Sequence, residues 1–142
     1  MNLYSFLQHL HSGFRYIVIA LILAAIIGSL VGWIGQKAYT NGNRKLNLFA
    51  MISAHTQLLI GIVLYFVSPL VMFNKAVMKN PVGRYFTVEH WVIMLIAIAL
   101  ITIGHSKSKK GIDSEARHKS IVIFYFLALV IILAGIILIP RS

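Results

Sequence analysis

The chain has no cysteine, and its acidic residues number only three, Glu89, Asp113 and Glu115. Without thiols it can form no disulfide, no thiolate metal site, no covalent c-type haem attachment and no cysteine-ligated iron–sulfur cluster. Any cofactor must therefore be held by histidine, methionine or carboxylate. Charge of either sign is scarce: 11% of the 142 residues are charged against 59% hydrophobic, a balance that belongs to an integral membrane protein rather than a soluble core of this length. The first apolar run has no basic segment before it, its first cation being Arg15, and no small-residue cleavage site after it, so a cleaved signal peptide is not expected. Also missing are G-x-G-x-x-G, P-loop, H-E-x-x-H and nucleophile motifs, any strong internal repeat and any low-complexity tract.

What is present is four long stretches without charge. Tyr16 to Gln36 is 21 residues, enough at a helical rise of ~1.5 Å each to cross a ~30 Å hydrocarbon core. Leu46 to Asn74 is longer than a crossing needs, so its ends protrude or tilt. Val92 to Ile103 and Ser120 to Pro140 complete the set, giving expected spans at about 14–36, 47–72, 85–106 and 115–139 of one transmembrane domain, 1–142. Asn41-Gly42-Asn43 separates the first two spans, Asn80-Pro81 and Gly83 the next two, and Asp113 or Ser114 can cap the last helix. Helices joined by short loops are antiparallel neighbours. The expected fold is all-α, an up-down-up-down four-helix bundle in which spans 1 and 3 lie diagonally, as do spans 2 and 4.

A net charge of +10 would suggest nucleic-acid binding in a soluble protein. Here the cations sit in short segments beside apolar runs and read as topology signals and lipid-headgroup contacts, so no nucleic-acid partner is expected. Two loops hold Lys37, Arg44, Lys45, Lys107, Lys109, Lys110, Arg117 and Lys119, against Lys75, Lys79 and Arg84 in the loop opposite, with Arg15 and Arg141 flanking the termini. The positive-inside rule then places the basic loops in the cytoplasm and both termini in the periplasm, across a bacterial inner membrane.

Every span carries histidine at or near an end, where an ionisable group is costly unless it is paired or liganded. This topology puts His9, His11 and His90 at the outer end, and His55, His105 and His118 at the inner end. Diagonal helices face each other across the bundle, so His11 with His90 and His55 with His118 can each sandwich a flat macrocycle through axial nitrogens, as two b-type haems, one per leaflet. His9 and His11 point about 200° apart on a helix, so only one can face the core. Arg15, one turn beyond His11, favours His11, because its guanidinium can meet a haem propionate. Gly13 and Gly61 are small enough to admit a macrocycle near the backbone. His105, beside Ser106 and Lys107, is expected to point to water and is the alternative inner ligand; it lies 15 residues from His90, ~22 Å along a helix, so one span can serve both haems.

The bland reading is that histidines at span ends are interfacial polar groups, like Trp33, Tyr85 and Trp91 in an aromatic belt. The joint pattern of matched depths favours ligation. A copper or zinc ion would need three or four converging nitrogens, and the outer end offers only His9, His11 and His90. Glu89 reads as a solvated interfacial carboxylate, with Arg84 or Arg15 as the alternative partner. Thr56 and Gln57 should face the bundle interior, as partners of a quinone oxygen or as ties between helices. Met51 and Met94 read as packing.

The segments His11-Ser12-Gly13-Phe14-Arg15-Tyr16, Ala54-His55 with Gln57-Leu58-Leu59-Ile60-Gly61, Phe86-Thr87-Val88-Glu89-His90 and His118-Lys119 together resemble the small four-span cytochrome B-type membrane proteins of Bacteroidetes-like bacteria. The resemblance covers essentially the whole chain. It implies b-type haem binding and electron transfer with His11, His55, His90 and His118 at the motif positions, and names neither donor nor acceptor. The four-span membrane protoporphyrinogen oxidase family, of similar size, ranks lower because the chain lacks an early His followed by Trp-x-x-Gly-Leu and a Pro-Arg-Leu stretch. The expected function is a dihaem electron carrier of the respiratory chain rather than a stand-alone enzyme, with a porphyrin-metabolism enzyme and an anchor subunit of a respiratory complex as alternatives. The expected partner is the lipid bilayer; a quinone, other respiratory subunits and a second copy of the chain stay open.

Overall fold

A computed structural model describes residues 3–67 and 90–137. Among them four helices form: α1 (Leu3–Ile34), α2 (Asn41–Val67), α3 (His90–Lys109) and α4 (Ser114–Ile137). Each is long and apolar enough to cross a membrane, which makes this a multi-pass membrane protein. In hydrocarbon a backbone N–H or C=O has no water to bond, so an apolar run of this length closes its own hydrogen bonds as helix.

The helix ends follow local chemistry that hydropathy does not report. α1 starts at Leu3 rather than near residue 14, because nothing between Leu3 and Arg15 breaks it and the polar lead-in continues the same helix. It stops in a Schellman turn: Gln36 adopts a φ of 51°, Lys37 N donates to Gly32 O at 2.8 Å and Gln36 N to Trp33 O at 3.3 Å. α2 starts at Asn41 rather than 47. Thr40 Oγ1 accepts from Asn43 N at 3.1 Å while Thr40 N donates to Asn43 Oδ1 at 3.0 Å, a reciprocal capping box that begins the helix before its apolar run. α4 is capped by Asp113, whose Oδ1 accepts from Ala116 N at 2.8 Å. The expected end of span 2 at 72, the start of span 3 at 85, and Pro69, Asn80-Pro81, Gly83, Pro140 and Arg141 lie outside the described residues.

Each helix packs on its chain neighbours and α1 also packs on α4, closing a ring that leaves α1 diagonal to α3 and α2 diagonal to α4. Among the described residues the α3–α4 contact is the most extensive of the four and α2–α3 the least. Ile22, Ala25, Ala50, Ala97, Ile101, Ile121, Tyr125 and Ala128 are wholly buried, with Met51 and Met94 packed against them. Lipid is as apolar as leucine, so helices gain little from hydrophobicity alone and hold together through close approach and interhelical hydrogen bonds. Gly104 provides the first: a Cβ there would lie 2.5 Å from Phe124 Cβ. Tyr125 provides the second, its hydroxyl donating to Asn47 O across the α2–α4 diagonal at 2.7 Å. Asn47 Nδ2 donates in turn to Tyr39 OH at 2.7 Å, and Tyr39 N to Ser114 Oγ at 2.9 Å, which ties both basic loops together.

Because the obstacle at Gly104 is a Cβ rather than a flexible tip, Gly104→Ala must push α3 from α4 and is expected to cost about 1–3 kcal/mol. The check is a lower melting temperature in detergent. Gly13→Ala, whose new methyl would meet open space, should leave it unchanged or slightly raised.

Candidate functional site

At the end of the bundle opposite the basic loops, the α1–α3 diagonal brings two histidines face to face. The rings of His11 and His90 have centroids 6.1 Å apart with planes at 77°. Helical geometry sorts the neighbouring pair as anticipated: His9 is exposed, His11 turns inward, and Arg15 follows it one turn on along the same cavity wall. Gly13 is exposed with nothing near it, so it admits nothing from within the protein.

The two imidazoles edge a cavity of about 430 Å³ to which all four helices contribute. Its walls are mostly apolar, among them Val18, Ile19, Leu58, Met94, Ile98 and Ile132, and its polar lining includes His11, Arg15, Gln57 and His90 beside Gln8, Ser12 and tyrosines. That is the composition of a cofactor or ligand site. Three of these groups hold buried polar atoms without a hydrogen-bond partner among the described residues: His11 Nδ1, Arg15 Nε and Gln57 Oε1. Unmatched polar atoms inside a membrane are expensive, and their convergence on one space marks it for function. The Arg15 guanidinium bonds Tyr16 OH at 3.2 Å and lies 5.0 Å over its ring. Among the described residues the carboxylates, Asp113 and Glu115, stand at the basic end, so none neutralises it. Glu89 and Arg84 lie outside the described residues.

α2 supports His11 from behind. Gln57 Nε2 donates to His11 O at 2.7 Å, and Gly61 lies against the ring, where a Cβ would come 3.3 Å from His11 Cε1. Spacing alone does not single out Gln57, whose part depends on the rotation of α2 against α1. Thr56, by contrast, faces outward and donates to Ile52 O at 2.9 Å, so the expectation that it points inward does not hold. A residue two positions from an inward one on a helix must turn away, and neighbouring Gln57 takes the inward place.

The structure does not bring His55 and His118 together. His55 Nε2 bonds Thr102 Oγ1 at 2.8 Å, and Thr102 donates to Ile98 O at 2.8 Å. His118 packs its ring on Gly32 and edge-on to Tyr39 at 5.0 Å, and donates from Nε2 to Lys37 O at 3.2 Å. Two routes through the packing measure the separation at ~1.5 Å per residue. From Gly32 back to Gly28, across to Leu46 and on to His55 is roughly 20 Å. From His118 to Phe124, across to Gly104 and back to Thr102 is roughly 12 Å. Either far exceeds the ~4 Å spanned by two metal–imidazole bonds. The helix starts account for it: His55 lies 14 residues beyond Asn41 and His118 four beyond Ser114, so the two sit at different depths from the basic end. His105, expected at water, is instead 2% exposed, and both its ring nitrogens are without a partner among the described residues. It lies one turn beyond Ile101 on the face that α3 buries against α4, a position helical spacing could have revealed. Among the described residues no three or more His, Asp or Glu side chains converge as a metal cluster.

Comparison of the chain with protein-family models, with curated proteins and with solved structures finds no match.

His118 thus fastens the turn after α1. Replacing it by alanine leaves the Lys37 carbonyl unpaired and opens a gap on Gly32, an expected loss of about 1–3 kcal/mol visible as a lower melting temperature.

Proposed function

We propose that this protein is a b-type cytochrome-like electron carrier of a bacterial inner membrane, binding one haem between His11 and His90. The observation that carries the reading is the spacing of the two rings across the cavity. A metal held by two opposed imidazole nitrogens at ~2 Å each, with the ring radius added on both sides, needs centroids roughly 6 Å apart. The 6.1 Å between His11 and His90 meets that requirement, and their crossed planes are compatible with it because each ring can turn about its own metal bond.

The rest of the site fits the same group. Arg15, which meets no carboxylate among the described residues, would pair its guanidinium with a propionate, and the apolar walls would take the macrocycle and exclude water. Haem, when bound, supplies a one-electron iron couple. The resemblance of the His11, His55, His90 and His118 segments to cytochrome B-type proteins supports the same cofactor class. It favours four ligands, whereas His55 and His118 each hold a different partner at a different depth, so the proposal counts one haem. With the basic loops cytoplasmic by the positive-inside rule, the haem lies near the periplasmic face, where a quinone or a respiratory partner would exchange electrons with it.

A reduced-minus-oxidised optical spectrum of the purified protein, with haem quantified per chain, tests this. A b-type band at one haem per chain is expected, retained in His118→Ala and His55→Ala and lost to background in His11→Ala and His90→Ala. Absence of the band ends the proposal. Two haems per chain would overturn the single site.

A further inference from the structure

We infer that Gln57 is a positioning residue for His11, accepting a hydrogen bond from its Nδ1 and so presenting Nε2 to the cavity. The inference rests on the haem reading above and assigns the group behind one ligand.

Gln57 reaches from α2 to α1 and donates from Nε2 to His11 O at 2.7 Å. A carbonyl can only accept, so this contact decides which end of the amide is the nitrogen. The other end, Oε1, is then a buried acceptor attached to the residue that already grips His11, and it has no donor among the described residues. His11 Nδ1 is likewise buried with no partner. Both orphans belong to the α1–α2 contact. A Cβ at Gly61, one turn beyond Gln57, would lie 3.3 Å from His11 Cε1 and 3.9 Å from His11 Nδ1, so the Nδ1–Cε1 edge is the one turned to α2.

Two unpaired complementary atoms on one contact cost more apart than joined. The terminal torsion of glutamine is soft, so closing them needs only a turn of the amide or the ring. Once Nδ1 carries the proton, Nε2 is left with its lone pair, the tautomer a metal ligand needs, and the acceptor behind the ring raises ligand basicity. Gly61 belongs to the same contact, because a Cβ there would press on the ring edge turned to α2. No acid is required, consistent with a chain whose carboxylates among the described residues stand at the opposite end.

The test compares Gln57→Leu and Gln57→Glu with the wild type. In haem-free protein labelled with ¹⁵N-histidine, His11 is expected in the Nδ1–H tautomer, and Gln57→Leu should shift it toward Nε2–H. In the loaded protein Gln57→Leu should weaken haem affinity on the order of 10- to 100-fold and raise the midpoint potential. Gln57→Glu, a stronger acceptor, should lower that potential. A merely structural role would move both variants the same way. Wild-type His11 in the Nε2–H tautomer, or a potential unmoved by either variant, overturns the inference while leaving the haem reading standing. A missing b-type band with His11 still in the Nδ1–H form would sink the haem reading and leave the hydrogen bond intact.

Discussion

Hydrocarbon offers a polar group nothing to bond, and the arrangement of this protein follows from that constraint. Backbone amides are satisfied by forming four uninterrupted helices. Side-chain polar atoms then have to find one another across helix contacts, and most of those near the basic end do. Tyr125 reaches Asn47, Asn47 reaches Tyr39, Tyr39 reaches Ser114, and His118 reaches the carbonyl of Lys37. These bonds fasten both basic loops to one end of the bundle.

The opposite end departs from that economy. There His11 Nδ1, Arg15 Nε and Gln57 Oε1 are buried without partners among the described residues, around a cavity of about 430 Å³. Among the described residues unpaired atoms occur near the basic end too, in His105, His118 Nδ1 and Ser29 Oγ, but those of His11, Arg15 and Gln57 gather on one cavity. On the proposed reading a flat macrocycle with acidic edges would put iron between the imidazoles, propionate on the guanidinium and apolar faces on the walls, while His11 Nδ1 and Gln57 Oε1 would complete each other. The contrast between a closed end and an open one also explains why two histidines of the motif set, His55 and His118, serve as ties: each already has a bond that stabilises the closed half.

Much of the fold was legible beforehand, and for a simple reason. Spans of charge-free residues such as Tyr16 to Gln36 report directly on transfer free energy, and short loops leave few topologies, so four antiparallel helices with α1 opposite α3 follow from the chain alone. Helix ends were less legible, because Thr40 with Asn43 starts α2 through two hydrogen bonds that no hydropathy average records. Within the site, His11, His90 and Arg15 were readable from spacing on single helices. Gln57 was expected inward together with Thr56, as a quinone partner or a tie between helices; that Gln57 ties to His11 while Thr56 faces outward depends on how α2 is rotated against α1.

By itself, then, the sequence determined class, number of crossings and that His11 rather than His9 turns inward, since these depend on composition and on 3.6-residue periodicity within one helix. Depth was decided only by tertiary structure. Whether His55 meets His118, whether His105 sees water, and what stands behind His11 all depend on how far one helix slides and turns against the next. That offset is set by contacts such as Gly104 on Phe124 and Gly32 on His118, between residues far apart in the chain.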